Sequence, residues 1–118
     1  MNVVSLLGTI QTEEICLRHT PDKVPVTSFL LKVKRDRKKG YDTVLPYDNI
    51  MIVCWDKMAE TVVNTYKFGM TVSVKGTIRT GKRKLKGYRV YDESGKEIPE
   101  FQIPTFEIYA QRVDIVKD

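Results

Sequence analysis

The segment Ile52–Thr80, IVCWDKMAETVVNTYKFGMTVSVKGTIRT, decides the predicted fold. It continues an apolar run, Ile50–Trp55, that is short and rich in β-branched residues and therefore predicts a strand buried on both faces. Asp56 follows as a helix cap, Gly69 stands just past the helix end, and Met70–Arg79 alternates as a strand does. Between them, an apolar stripe at helical spacing is formed by Met58, Ala59, Val62, Val63 and Tyr66.

Three further strands are predicted outside this segment. Asn2–Gln11 is apolar, with Gly8 at a bulge or close backbone approach, and Val26–Lys34 alternates between an apolar face and a face that carries lysine outward. Phe106–Val116 is the last strand. Three strands, a helix and two strands follow the order of the OB-fold, a five-stranded Greek-key barrel. We therefore predict an all-β fold with one helix between strands three and four, in one domain over residues 1–118.

Several side chains are assigned to the core by their positions in these elements. The apolar residues assigned in this way are Val72, Val74, Ile78, Tyr66 and Phe68. The two cysteines, Cys16 and Cys54, lie far apart without CxxC spacing and are interpreted as reduced, buried residues of an intracellular protein. Trp55 is assigned equally to the core or to a contact with a bound ligand, and Tyr109 to the core or an interface.

The positive charge of the chain is concentrated in two windows. Lys32–Lys39 has six basic residues and one acidic residue, and Arg79–Arg89 has six basic residues and no acidic one. The rest of the chain has eight basic and fourteen acidic residues. An acidic body with two basic segments is typical of a polyanion-binding surface, and two solvated lysine-rich loops are the alternative. Two such windows on one small chain favour nucleic acid.

Landmarks along the chain stand in the order found in one known family. NVVSLLGTI has the family's opening asparagine, apolar strand and glycine, and ICLRHTPDKVPVTSFLLKV has its arginine, threonine-proline turn and following strand. The segment Ile52–Thr80 has the most diagnostic block. On these landmarks the chain resembles the bacterial single-stranded-DNA-binding proteins and their phage and plasmid relatives. The resemblance covers about Asn2–Thr80 and, weakly, Phe106–Val116.

The resemblance implies an OB-fold protein that binds single-stranded DNA without sequence preference in replication, recombination or repair. It also implies a homo-oligomer, either a tetramer built from dimers or a dimer. This chain departs from the family in three ways. Asn49–Met51 stand where the family commonly has a stacking aromatic residue, and Tyr47 is the nearby candidate to substitute for it. The family's hairpin tryptophan is missing, and Tyr88 or Tyr91 is the nearest candidate to replace it. The sequence also ends after the predicted barrel, so the acidic tail by which cellular members recruit partners has either been removed or is missing from this relative.

Two other functions stay open, and the departures favour the first of them. One is a tail-less accessory component of a replisome or primosome that acts mainly through protein contacts, similar to primosomal replication protein N. The other is an RNA-binding OB-fold protein, since this fold serves both polymers.

The predicted binding site combines aromatic rings with basic side chains. Unpaired bases expose π-faces on which aromatic rings stack, and lysine and arginine neutralise phosphates. Tyrosines lie inside the second basic window or just beyond both windows. The predicted single-stranded-DNA contacts are Lys32, Lys34, Arg35, Arg37, Tyr47, Trp55, Lys75, Arg79, Lys82, Arg83, Lys84, Lys86, Tyr88, Arg89 and Tyr91.

The sequence favours a binding protein over an enzyme. It has no Ser/His/Asp grouping, no paired carboxylates on one element, no phosphate loop and no metal-ligand spacing. No catalytic residue, cofactor or metal is therefore expected. No apolar run approaches the roughly 20 residues of a membrane span, and the apolar start lacks the basic leader of a signal peptide. The expected location is the cytoplasm, with single-stranded DNA and replication proteins as candidate partners and no membrane.

Overall fold

The computed structural model describes residues 1–36, 46–84, 91–98 and 102–116. This part of the chain forms six strands and one helix. They are β1 (Val4–Ile10), β2 (Arg18–His19), β3 (Pro25–Lys34), β4 (Tyr47–Trp55), α1 (Asp56–Thr65), β5 (Thr71–Lys84) and β6 (Gln102–Ile115).

Five of the strands close into a barrel. The strand order is β1-β5-β6-β4-β3, and pairing of β1 with β3 at Thr9↔Lys32 and Ile10↔Leu31 closes the ring. All neighbours are antiparallel except β4 and β6, which run parallel. β2 adds two residues to the outer edge of β3. The prediction of an all-β OB-fold with one helix after the third barrel strand is confirmed, while the two-residue β2 was not predicted.

The core follows from the alternation of apolar residues along the strands. In β3, Thr27, Phe29 and Leu31 are buried while their neighbours are partly exposed. The buried Thr27 hydroxyl donates to the Cys16 carbonyl at 2.7 Å, so burying this polar group leaves no donor unpaired. The core cluster is formed by Ile10, Phe29, Leu31, Ile52, Cys54, Ala59, Val62, Tyr66, Val72, Val74 and Ile108.

Two glycines allow the strands to approach closely. A Cβ added to Gly8 would lie 2.4 Å from the Lys32 carbonyl oxygen, at the point where β1 meets β3. A Cβ on Gly76 would lie 2.2 Å from the Tyr109 carbonyl oxygen, next to the irregularity in the β5–β6 ladder between Lys75 and Gly76. Gly8 therefore stands at a close backbone approach, one of the two roles that the sequence predicted for it.

The helix begins differently from the prediction. Trp55 is the N-cap residue, and no side chain caps the helix. Asp56, the predicted cap, instead has a φ of 59°, in the left-handed region. The assignment of Asp56 as a cap was therefore wrong, because β4 runs directly into α1 and its last residue, Trp55, takes the N-cap position. Gly69 has the predicted left-handed backbone, with a φ of 86°, but the helix ends at Thr65 with Tyr66 as its C-cap, so Gly69 lies in the turn that follows and not directly after the helix.

The strands β4, β5 and β6 are each several residues longer than the sequence pattern indicated. β4 begins at Tyr47, three residues before the predicted start at Ile50, and the β5–β6 ladder runs out to Lys84↔Gln102. This ladder projects beyond the barrel, so that Ile78, predicted to face the core, is 44% exposed. In contrast, β1 is shorter at its start and begins at Val4, two residues later than predicted. There the Asn2 side-chain amide donates to the carbonyl of Ile78 and accepts from its N–H, each at 2.9 Å.

Two further core assignments were wrong. Phe68 is 53% exposed, because it follows the last turn of α1 and faces away from the barrel. Cys16 is exposed in the segment between β1 and β2, while Cys54 is buried in β4 as predicted. The apolar character of a residue in a connecting segment does not fix its burial, because no strand or helix period orients it toward the core.

Candidate nucleic-acid interface

The outer face of β3 and β4 carries a continuous row of paired side chains. The two strands are antiparallel and in register from Val26↔Trp55 to Lys34↔Tyr47. Because side chains alternate, every second pair points away from the core. The outward pairs are Val26–Trp55, Ser28–Val53, Leu30–Met51, Lys32–Asn49 and Lys34–Tyr47. We call this surface the β3–β4 face.

One end of the β3–β4 face combines an aromatic ring with two lysines. Tyr47 is 42% exposed and lies opposite Lys34. The Lys32 Nζ lies 4.0 Å from the centroid of the Tyr47 ring, within the range of a cation–π contact. The structure thus brings together three of the predicted contact residues, with a ring beside two cations.

An ion pair lies next to this end. Arg35 donates to the Asp48 Oδ1 from Nε at 2.9 Å and from Nη2 at 2.7 Å. The hydrogen bond from Arg35 holds the pKa of the Asp48 carboxyl below its ordinary value. Arg35, a predicted contact, is therefore already paired with a carboxylate. Arg35 also borders an open cavity of about 530 Å³, which is lined by Lys34, Arg35, Asp36, Pro46 and Tyr47.

The other end of the β3–β4 face carries a second aromatic group. Parallel pairing of Val53 with Tyr109 places the Tyr109 ring beside Trp55, at 5.9 Å between centroids and tilted by 52°. Arg79 lies over the Tyr109 ring at 5.4 Å. Trp55 is half-buried, and in the described part of the chain its buried Nε1 has no hydrogen-bond acceptor. The predicted residues Trp55 and Arg79 thus meet through Tyr109, which the sequence left between core and interface.

Sequence reasoning did not include Arg18 in the site. It pairs with Val26 through β2 and donates from Nη2 to the Ser28 Oγ at 3.3 Å, which places its guanidinium on the β3–β4 face. Its signal was available, since this arginine is one of the landmarks of the family resemblance. Asn49, which is exposed opposite Lys32, was also not included. From the sequence it was noted only as a position near which the family commonly has a stacking aromatic residue.

The remaining predicted contacts lie elsewhere or outside the described residues. Lys75 is exposed between Ser5 and Arg112 on β5, a strand that neighbours neither β3 nor β4, and the structure does not bring it to the β3–β4 face. Lys82 is exposed on the projecting part of β5, and Tyr91 is 53% exposed in a bridge with Glu97. The calls that fall outside the described residues are Arg37, Lys86, Tyr88 and Arg89, together with the side chains of Arg83 and Lys84.

The described residues lack two further kinds of feature. They contain no group of three or more histidine, cysteine, aspartate or glutamate side chains placed to hold a metal ion. Their one helix has ten residues and is too short and too polar to cross a membrane.

Comparison with known proteins gives a consistent family match. The model of the single-strand binding protein family matches residues 1–93. A "Single-stranded DNA-binding protein" of Caldanaerobacter subterraneus subsp. tengcongensis is 41% identical over 80 residues, covering 68% of this chain and 52% of the relative. "Single-stranded DNA-binding protein 4" of Streptococcus agalactiae is 30% identical over 113 residues, covering 95% of this chain and 76% of the relative. A "Single-stranded DNA-binding protein" of Streptococcus pneumoniae serotype 4 is 36% identical over 92 residues, covering 77% of this chain and 58% of the relative.

Proposed function

The chain belongs to the single-strand binding protein family, and from that premise we propose that it binds single-stranded DNA without sequence preference, in replication, recombination or repair. The observation that carries the proposal is the β3–β4 face, which has an aromatic ring beside basic side chains at each end. The three relatives named above are called single-stranded DNA-binding proteins.

Stacking supplies the part of the affinity that does not depend on sequence. Every base has a π-face, and each base stacked on an aromatic side chain contributes about 1–3 kcal/mol by alanine substitution. Tyr47 and Trp55 are separated along β4 by about 26 Å, at about 3.3 Å per residue. A strand that follows this face therefore passes one ring near its start and another near its end.

Phosphate contacts supply the part that depends on salt. Four basic side chains of the described residues lie on or beside the β3–β4 face without an acidic partner: Arg18, Lys32, Lys34 and Arg79. Each phosphate neutralised on a single strand contributes about −0.7 to the slope of log K against log salt. Four contacts therefore give a slope of about −3.

Titration with oligothymidine and with a duplex of the same length, at several salt concentrations, tests the proposal. We expect oligothymidine to bind more tightly than the duplex and its affinity to fall steeply with salt. Equal affinity for the two polymers, or binding indifferent to salt, would eliminate the proposal. A matched RNA strand in the same assay separates DNA binding from the RNA-binding alternative.

The protein acts as a homo-oligomer in this proposal. In β1, residues 4–8 pair with β5 on one side, and on the other side no described strand pairs with them. The neighbouring Val3 and Leu7 are 54% and 58% exposed. An unpaired strand edge with apolar neighbours supports association with a second copy. Light scattering tests this, and a monomeric mass at micromolar concentration would contradict it.

The remaining parts of the proposal concern chemistry and location. We expect no catalytic activity on the bound strand, which is to be recovered intact after prolonged incubation. The cytoplasm is the proposed location, and replication proteins are the proposed protein partners; fractionation and pull-down after nuclease treatment test these two points.

A further inference from the structure

We propose that a cavity beside Tyr47 receives one base of the bound strand and that Thr9, Gln11 and Thr71 hydrogen-bond to its Watson–Crick edge. The inference rests on the proposed function and deepens it, because it assigns a group of neutral residues to the recognition of unpaired bases. A base in a duplex presents this edge to its complement, so the cavity admits single strands only.

The register of four strands places these residues next to the β3–β4 face. Asn49 pairs with Lys32, Lys32 with Thr9, and Thr9 with Thr71. All four side chains point outward, and neighbouring strands lie about 4.8 Å apart. The β3–β4 face therefore continues across β1 onto the start of β5 without a break.

The cavity is formed where this row meets Tyr47. It has a volume of about 280 Å³ and is lined by Leu7, Gly8, Thr9, Gln11, Lys32, Lys34, Tyr47 and Thr71. Pockets for drug-sized ligands are about 300–1,000 Å³, so this cavity suits a single base and its sugar rather than a larger molecule. It lies open beside the binding face, where a strand held by Tyr47 passes.

The polar groups in the cavity are free to bind a ligand. The Thr9 and Thr71 hydroxyls and the Gln11 side-chain amide form no hydrogen bond with any described protein group. A hydroxyl or an amide can both donate and accept. These three groups can therefore adapt to the edge of any unmodified base, which keeps recognition tolerant of sequence while requiring an unpaired edge.

The other walls supply the remaining contacts of a nucleotide. Leu7, 58% exposed, and the Tyr47 ring give apolar surface for the base. Lys32 and Lys34 lie at the same rim and are placed for phosphates. Lys32 rests on the Tyr47 ring in this structure, and a base that stacks on that face replaces it there. The displaced ammonium then becomes available to the phosphate of the same nucleotide.

The test uses oligothymidine and the same oligonucleotide methylated at N3 of every base. Methylation removes the N–H of the Watson–Crick edge and leaves the aromatic ring and the phosphates. We expect the wild-type chain to bind the unmodified strand about tenfold more tightly, the discrimination typical of a hydrogen-bonded base edge. The triple variant Thr9→Val, Gln11→Met, Thr71→Val is expected to bind both strands equally. Gln11→Met alone, a milder change in a residue outside the strands, is expected to reduce the preference.

Ser5→Ala is the matched control, because Ser5 is an exposed hydroxyl on the same outer side of β1 but outside the cavity. It is expected to keep the wild-type preference, and thermal unfolding confirms that each variant is folded. Equal wild-type affinity for the two strands, or a preference that the folded variants keep, overturns this inference and leaves the proposed function standing. Failure of the wild type to bind either strand overturns the proposed function itself.

Discussion

The Lys32 ammonium lies 4.0 Å from the centre of the Tyr47 ring, and the two residues sit diagonally on neighbouring strands of one outer face. Diagonal neighbours in an antiparallel pair are within reach of long side chains. The contact orients an exposed ring by means of a cation, and both groups remain available to a ligand. An aromatic ring and a cation that we propose for phosphate binding are therefore already in contact when no DNA is bound.

Replacing Tyr47 separates stacking from charge. Tyr47→Ala is expected to weaken oligothymidine binding by about 1–3 kcal/mol, the contribution of one stacked base. Tyr47→Phe keeps the ring and is expected to bind like the wild type. Fluorescence titration at one salt concentration measures both. If Tyr47→Phe lost as much affinity as Tyr47→Ala, the hydroxyl rather than the ring would be responsible.

Asp48 limits the charge that Arg35 offers to a phosphate. Asp48→Asn removes the negative partner at 2.7 Å, so we expect tighter binding and a salt slope steeper by up to about 0.7, the contribution of one phosphate contact. The pKa of Asp48 lies below its ordinary value of 3.8, so the pair is fully present above that value and lost only as the pH falls through the lowered pKa. Between pH 5 and 8 the titration of Asp48 is therefore expected to leave affinity unchanged.

Asp114→Asn is the control for this change. Asp114 accepts from Arg112 Nε at 2.7 Å, in a second ion pair that lies on β6 beside Ser73 rather than beside Tyr47. Asp114→Asn removes one negative charge from the chain, as Asp48→Asn does. Equal increases in affinity for the two variants would show that net charge, and not the release of Arg35, is the cause.

The order of the elements could be predicted from the sequence because, within the barrel, the buried residues recur with the two-residue period of a strand. Apolar residues alternate where a strand has a core on one side, as in Thr27, Phe29 and Leu31 of β3. The same argument fails where strands leave the barrel. Residues 80–84 of β5 are polar or glycine, yet they form a regular ladder with β6, since backbone pairing needs no core.

Single residues of the candidate site could be predicted from the sequence, but contacts between residues far apart in sequence could not. Lys32, Lys34 and Tyr47 were identified from charge and aromatic content. The contact of Trp55 with Tyr109 depends on the parallel pairing of β4 with β6, which joins residues more than fifty positions apart. Thr9 and Thr71, which line the cavity proposed for a base, were not predicted, because nothing in their local pattern distinguishes them from ordinary outward-facing strand residues.

The left-handed backbone at Asp56 is a source of strain that glycine relieves. A residue other than glycine in this region costs about 1–2 kcal/mol, so Asp56→Gly is expected to stabilise the fold by up to that amount. Lys57→Gly, at the next and equally exposed position of α1, has no such relief and is expected to destabilise by up to about 1 kcal/mol. Denaturant unfolding measures both. Destabilisation by Asp56→Gly would contradict the strain argument.

The two thiols are expected to differ strongly in reactivity. Burial raises the pKa of Cys54 to about 12, whereas Cys16 is exposed. Because the thiolate is the reactive form, iodoacetamide at pH 8 should modify one thiol per native chain and the second only after unfolding. The Cys16→Ser chain should show no rapid labelling while it is folded. Any slow labelling of its remaining thiol, Cys54, then measures the opening of β4. Rapid modification of Cys54 in the folded Cys16→Ser chain would show that the core around β4 opens far more readily than its packing indicates, since the Cys54 side chain is fully enclosed.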